Sequence, residues 1–166
     1  MSTENLNKEE SLKKLKEHIG DTSVAMMLTG FGKKPINAVP MYTKKMDDHG
    51  NIWFLSGRNS EHNKELMKSN DVQLLYSNPD DMEFLSVYGE AEITSDAKVI
   101  GDLYSKTDDS YFKGKEDPEV TAIKIRPQEA YYWDNKSNKF VTLLKLGVGA
   151  VTGNQQDIGE KGKMNL

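Results

Sequence analysis

The strongest constraint on folding is a strict alternation over residues 84–93. Phe84, Ser86, Tyr88, Glu90 and Glu92 take one set of alternate positions, and Leu85, Val87, Gly89, Ala91 and Ile93 take the other. Successive side chains leave a strand on opposite faces, so this segment separates an apolar face from a polar one only as β-structure. Shorter runs elsewhere repeat the theme. Val24-Ala25-Met26-Met27-Leu28 lies in a glycine-bounded stretch over 22–30 and reads as a buried strand. Strands follow over 36–45 and 51–56, and Asp47-Asp48-His49-Gly50-Asn51 between them has the chemistry of a hairpin turn. Val72 to Tyr76 makes a fourth strand, stopped by Asn78-Pro79-Asp80. The alternating run is the fifth, and residues 121–133, with Ala122-Ile123-Lys124-Ile125-Arg126, are the sixth.

Helices fill the gaps. Asn7 with Glu10 three positions on forms a capping box, Leu12, Leu15 and Ile19 recur at helical spacing, and Gly20 supplies the stop. Residues 60–69 read as a short helix with Leu66 and Met67 inward, and Asp96 caps another that runs to about Tyr104. Residues 140–151 are long enough for a last helix, although Gly147 and Gly149 weaken it by about 1 kcal/mol each. Residues 1–6 read as a frayed terminus and 154–166 as a peripheral, mobile tail. Six strands joined by hairpins and short helices predict a mainly β (α+β) protein, an antiparallel barrel with helices at its rim, in a single domain over 1–166.

Composition narrows the function by exclusion. A net charge of −4 lacks the basic excess that nucleic-acid binding needs. With no cysteine, disulfides, thiolate metal sites and a cysteine nucleophile are ruled out. His18, His49 and His62 lack metal-ligand spacing, and there is no Gly-x-Ser-x-Gly nucleophile motif. No apolar run approaches the roughly 18 residues that span a bilayer, and no secretion signal is visible, so the expectation is a cytoplasmic protein without a membrane partner. The run Gly147-Val148-Gly149-Ala150-Val151-Thr152-Gly153 has its third glycine one position late for a dinucleotide fingerprint and no βαβ unit around it, which points to helix or subunit packing.

Chemistry concentrates in Trp53 to Lys64, where an apolar strand ends in hydroxyls and basic groups as a helix begins. Arg58, Ser60, His62 and Lys64 are positioned by this spacing to meet a phosphate, or else Ser60 is only a cap and the charges a solvated face. Pro40 cannot donate to a ladder, so its strand is an edge or locally broken, leaving backbone groups to a ligand. Trp133, behind Tyr131 and Tyr132, is a large aromatic beside a turn, and reads as a core or rim side chain from its position alone.

Together these segments resemble the pyridoxamine 5'-phosphate oxidase-like split barrel, and within it the general stress protein 26 branch. The likeness rests on Val39-Pro40-Met41, on Ile52-Trp53-Phe54-Leu55-Ser56 leading into Arg58-Asn59-Ser60, on Ser86-Val87-Tyr88-Gly89-Glu90-Ala91-Glu92, and on Pro127 with Glu129-Ala130-Tyr131-Tyr132-Trp133-Asp134. The resemblance implies a six-stranded antiparallel split β-barrel and a homodimer holding FMN at the subunit interface, with FAD or a deazaflavin as alternatives. It implies that Val39, Pro40, Met41 and Tyr42 lie along the flavin and that Leu55 and Ser56 meet its ring or ribityl chain. Ser60 and His62 would meet the phosphate, and Trp133 would approach from the other subunit. It also implies a flavin-dependent oxidoreductase or, in the alternative, a flavin-binding module without turnover. Two positions depart from the related oxidases: Glu61-His62 stands in place of a basic pair, and Asn37 in place of an arginine. Losing two charge-assisted hydrogen bonds at about 1.5 kcal/mol each costs about 3 kcal/mol, near a hundredfold in affinity. The same departures argue against pyridoxamine phosphate oxidation itself.

Overall fold

The computed structural model describes residues 2–3, 6–135 and 159–165. Its elements are β1 (Ser2–Thr3), α1 (Lys8–Asp21), β2 (Val24–Thr29), β3 (Asn37–Met46), β4 (Ile52–Gly57), α2 (Glu61–Leu66), β5 (Asp71–Asn78), β6 (Glu83–Thr94), α3 (Ala97–Leu103), a 3-10 turn (Lys106–Ser110), β7 (Val120–Asn135) and β8 (Gly159–Asn165). The helix expected over 140–151, with its glycine run, lies outside the described residues.

All six expected strands form. They pair in the order β7-β4-β3-β2-β5-β6, and a β6–β7 ladder from Phe84–Trp133 to Thr94–Ala122 closes the ring into an antiparallel barrel. Alternation fills it: Ala25, Met27, Phe54, Val72, Leu74, Leu85, Val87, Ile123 and Ile125 point inward and are buried. The long β7 serves two neighbours on one edge, residues 120–125 pairing with β4 and residues 129–135 with β8. Residues 159–165, read from sequence as peripheral tail, are thus an added strand, and β1 pairs parallel to it. Met164 of that strand is buried in the core, a role that a segment with one large apolar residue does not advertise.

Helix α1 carries the expected capping box, Asn7 N–H to Glu10 Oε2 at 3.0 Å and Glu10 N–H to Asn7 Oδ1 at 3.1 Å. Leu15 and Ile19 join the barrel core, so α1 braces the barrel. The β3–β4 turn closes with Asp47 N–H to Asn51 O at 2.9 Å, and Gly50 takes a left-handed φ of 86° that a side chain would oppose. Asp96 accepts from Lys98 N–H and Val99 N–H, both at 2.9 Å, capping α3 as expected. Met67 is corrected: it is exposed and caps the C-terminus of α2, because a helix ending at Leu66 turns Asn63, Glu65 and Leu66 inward instead.

Helix α3 lies outside the barrel, where Ile100 and Leu103 pack with Leu55, Val120 and Ala122 in a second core. That anchor carries the following 3-10 turn back across β3, the placement on which the site depends.

Gly89 sits at the β6–β7 register shift, and a Cβ there would stand 2.4 Å from the Arg126 carbonyl oxygen. Gly89→Ala is expected to destabilise the protein by about 1–3 kcal/mol through this overpacking, measured by urea unfolding. Gly101→Ala, inside α3 with nothing within 4 Å of the new methyl, is expected to stabilise it by about 0.5–1 kcal/mol.

Candidate functional site

β3 pairs with β2 over its first six residues but meets β4 only at Thr43, Lys45 and Met46. The Thr43 N–H donates to Ser23 O at 2.8 Å, which sets the parity of the antiparallel ladder: odd residues of β3 turn their backbone groups toward β2, even ones away from it. Ala38, Pro40 and Tyr42 therefore direct carbonyls, and Tyr42 its N–H, into the gap where β4 is not paired. Pro40 stands where its missing N–H costs no ladder bond, so the local break expected of that strand is present.

A cavity of about 570 Å³ occupies this gap. Pro40, Met41 and Tyr42 of β3 form one wall, Leu55, Ser56 and His62 face them, and Thr107 to Phe112 close a third side. Six of the residues expected at the site are thus brought together. Val39 turns to the core, and Ser60 sits behind Ser56, with 3.2 Å between the hydroxyls. Arg58 is directed elsewhere, its Nε to Pro118 O at 2.8 Å and a terminal nitrogen to Ser95 Oγ at 3.2 Å. Lys64 is exposed and lies 3.9 Å from Glu61. Trp133 is on β7 opposite Phe84, exposed and not part of the pocket lining.

The floor of the site is a buried polar hub. Ser56 Oγ lies 2.6 Å from His62 Nε2 and 2.9 Å from Asn63 Oδ1. The amide nitrogen of Asn63 donates to Gly57 O at 3.1 Å and Thr121 Oγ1 at 3.0 Å, so its oxygen must accept from Ser56. With its one proton spent there, Ser56 accepts from His62 Nε2–H, which leaves His62 Nδ1 as an acceptor. Burial pushes the His62 imidazole below its ordinary range against the raising effect of Glu65, and the ring is neutral at pH 7.

On the third side, Asp108 Oδ2 accepts from Lys44 Nζ at 2.7 Å, Ser105 N–H at 2.7 Å and Ser105 Oγ at 2.8 Å. Burial raises this carboxyl, but those donors outweigh it and hold it below the usual range. The pair ties the 3-10 turn to β3. Sequence reasoning missed this wall: it placed no element between the helix ending near Tyr104 and the strand over 121–133, although Ser105-x-x-Asp108 is a capping signal there.

Glu65 was likewise missed. Its buried carboxylate pairs with Lys33 and accepts from Asn37 Nδ2 at 2.9 Å and from Thr29 Oγ1. Burial works to raise it, yet these donors hold it at about 2. The cluster fixes α2, and with it His62, to β2 and β3.

Among the described residues, no helix is long and apolar enough to cross a membrane, and no group of three or more His, Asp or Glu is placed to hold a metal.

A family model, Pyridoxamine 5'-phosphate oxidase like, matches residues 10–157, and the chain belongs to that family. Solved structures share its fold. A protein put forward as general stress protein 26 from Jannaschia sp. CCS1 is 19% identical, with a TM-score of 0.77 over 95% of this chain and 99% of its own. General stress protein 26 from Bacillus anthracis str. Sterne is 21% identical, with a TM-score of 0.66 over 73% of this chain and 92% of its own. A general stress FMN/FAD binding protein from Xanthomonas citri is 21% identical, with a TM-score of 0.66 over 78% of this chain and 92% of its own. No curated protein matches by sequence.

The Glu65 cluster has a pH signature. Its folded-state carboxyl, at about 2, lies below the ordinary 4.5, so the stabilisation is complete above about pH 4.5 and is lost as pH falls toward 2. Glu65→Gln is expected to flatten that part of the acid unfolding curve, followed by circular dichroism.

Proposed function

We propose that this chain is a flavin-binding redox protein of the general stress response, a homodimer that carries FMN in the gap between β3 and β4. The observation that carries the proposal is the gap itself: a cavity of about 570 Å³ lined by Pro40–Tyr42, whose backbone is left out of the β4 ladder, and by Leu55 and Ser56. A volume of this order suits a cofactor-sized ring system. A flavin's edge carries carbonyl acceptors and a ring N–H, and an open strand edge offers the complementary donor and acceptors. The Xanthomonas citri protein of the same fold is described as binding FMN or FAD.

The dimer has its own support. Pro40, Met26, Leu75, Ser86 and Tyr131 lie in one register row across five strands of the outer face. Met26, Leu75 and Tyr131 are exposed, as are Val24 and Trp133 nearby. Exposed apolar side chains in such a row are what a subunit interface would use, and the Pro40 end of the row lines the pocket. A second copy seated there would bring another surface, Trp133 included, to the open side of the gap.

When bound, the flavin supplies hydride or electron transfer; the chain supplies placement, exclusion of water and local charge. Among the described residues, the charged side chains of the wall are already paired. Lys44 and Asp108 neutralise each other, and His62 is held by Ser56. That commitment favours a second reading, a binding module that senses or stores a flavin without turnover.

Adding FMN to purified protein is expected to perturb the flavin absorbance and raise the melting temperature, since a ligand that binds only the folded state must stabilise it. An unchanged spectrum and melting temperature would reject the proposal. Reduction of the bound flavin by NADH or NADPH, followed by transfer to an acceptor, would favour the oxidoreductase over the binding module.

A further inference from the structure

A flavin's ring and its tail make different demands, and the structure meets them unequally. The ring end has the open strand edge. The tail end, around Ser56 and His62, was expected to hold a phosphate through basic side chains, but among the described residues Lys64 is exposed, off the cavity lining and 3.9 Å from Glu61, and Arg58, Lys33 and Lys44 are committed elsewhere. Arg58 is turned to Pro118 and Ser95, and Lys33 is held by Glu65. The amide of Asn37, at the position where related oxidases carry an arginine, also donates to Glu65. Lys44, the one lysine or arginine among the described residues that line the cavity, is 2.7 Å from Asp108, and the pair has no net charge to offer.

The polar hub is uncharged as well. Because Asn63 fixes the direction of the Ser56 proton, His62, which lines the cavity, donates through Nε2 and keeps Nδ1 as a lone-pair acceptor. A phosphate dianion against that lone pair is repelled, whereas a hydroxyl can donate to it.

We infer, on the basis of the flavin reading above, that the tail end of this pocket takes an uncharged, hydroxyl-bearing chain, so that riboflavin binds about as tightly as FMN. The phosphate then confers little affinity, and salt has little effect on binding. The hydroxyls of the tail, in contrast, are recognised.

The test is a fluorescence titration of the full-length protein at pH 7.5 with FMN, riboflavin and lumiflavin, the last being the ring without its hydroxylated chain. The expected result is a Kd for riboflavin within tenfold of that for FMN, at least fivefold below that for lumiflavin, and changed less than twofold between 50 and 300 mM NaCl. His62→Lys, which places a cation at the hub, is expected to lift the preference for FMN over riboflavin above tenfold. Wild-type FMN binding tenfold or more tighter than riboflavin would overturn the inference while upholding the flavin reading. Equal binding of riboflavin and lumiflavin, or a His62→Lys variant with unchanged preference, would overturn it too. If none of the three binds, the flavin reading falls, and this inference with it.

Discussion

The site exists because one ladder of the barrel is left incomplete. β3 spends its first six residues on β2 alone and reaches β4 only from Thr43 onward. Unpaired backbone inside a protein costs free energy unless water or a ligand satisfies it. Here Pro40 removes one donor from the open edge, and the wall around the gap keeps it a cavity instead of a collapsed seam. The barrel tolerates the opening because the other five pairings, including the long β6–β7 ladder, are continuous enough to hold its shape.

Two polar clusters keep the gap's walls in place, and both use buried or half-buried charge. Lys44 and Asp108 pin the 3-10 turn across β3, on one side of the cavity. Lys33 and Asn37 on Glu65 pin α2, which carries His62 on the other. Breaking either pair would strand a partly desolvated charge, so these contacts specify geometry more than they add stability. The same commitments explain why this site offers little positive charge to a ligand: Lys44 and Lys33 are already employed in holding the walls.

Much of this was legible in the sequence, and the limits have physical reasons. Period-two alternation reveals a strand with unlike faces, so β6 and β7 were readable from Phe84 to Ile93 and from Thr121 to Trp133. Pro40 announced the break in β3 because a residue without an N–H has few places in a sheet. Residues 40–42, Leu55, Ser56 and His62 were readable as one group through the family resemblance, and they do converge. What stayed hidden lacked a local signature. Glu65 reads as a surface charge on a short helix, since nothing nearby in sequence shows that Thr29, Lys33 and Asn37 surround it. The wall at 107–112 is irregular, and β8 follows only from the unfilled edge of β7. Arg58 and Lys64 looked fit for a phosphate by spacing alone, and their directions depend on partners about 37 to 60 residues away or three residues back.

The account stands on the claim that the open edge of β3 is where a planar ring docks. Amide hydrogen exchange at Tyr42 tests it most directly, because this N–H faces the gap and lies outside the β2 ladder. The account predicts that Tyr42 exchanges readily in the protein alone and becomes strongly protected when a flavin is added. Unchanged exchange at Tyr42, with protection appearing on another face of the barrel, would contradict it.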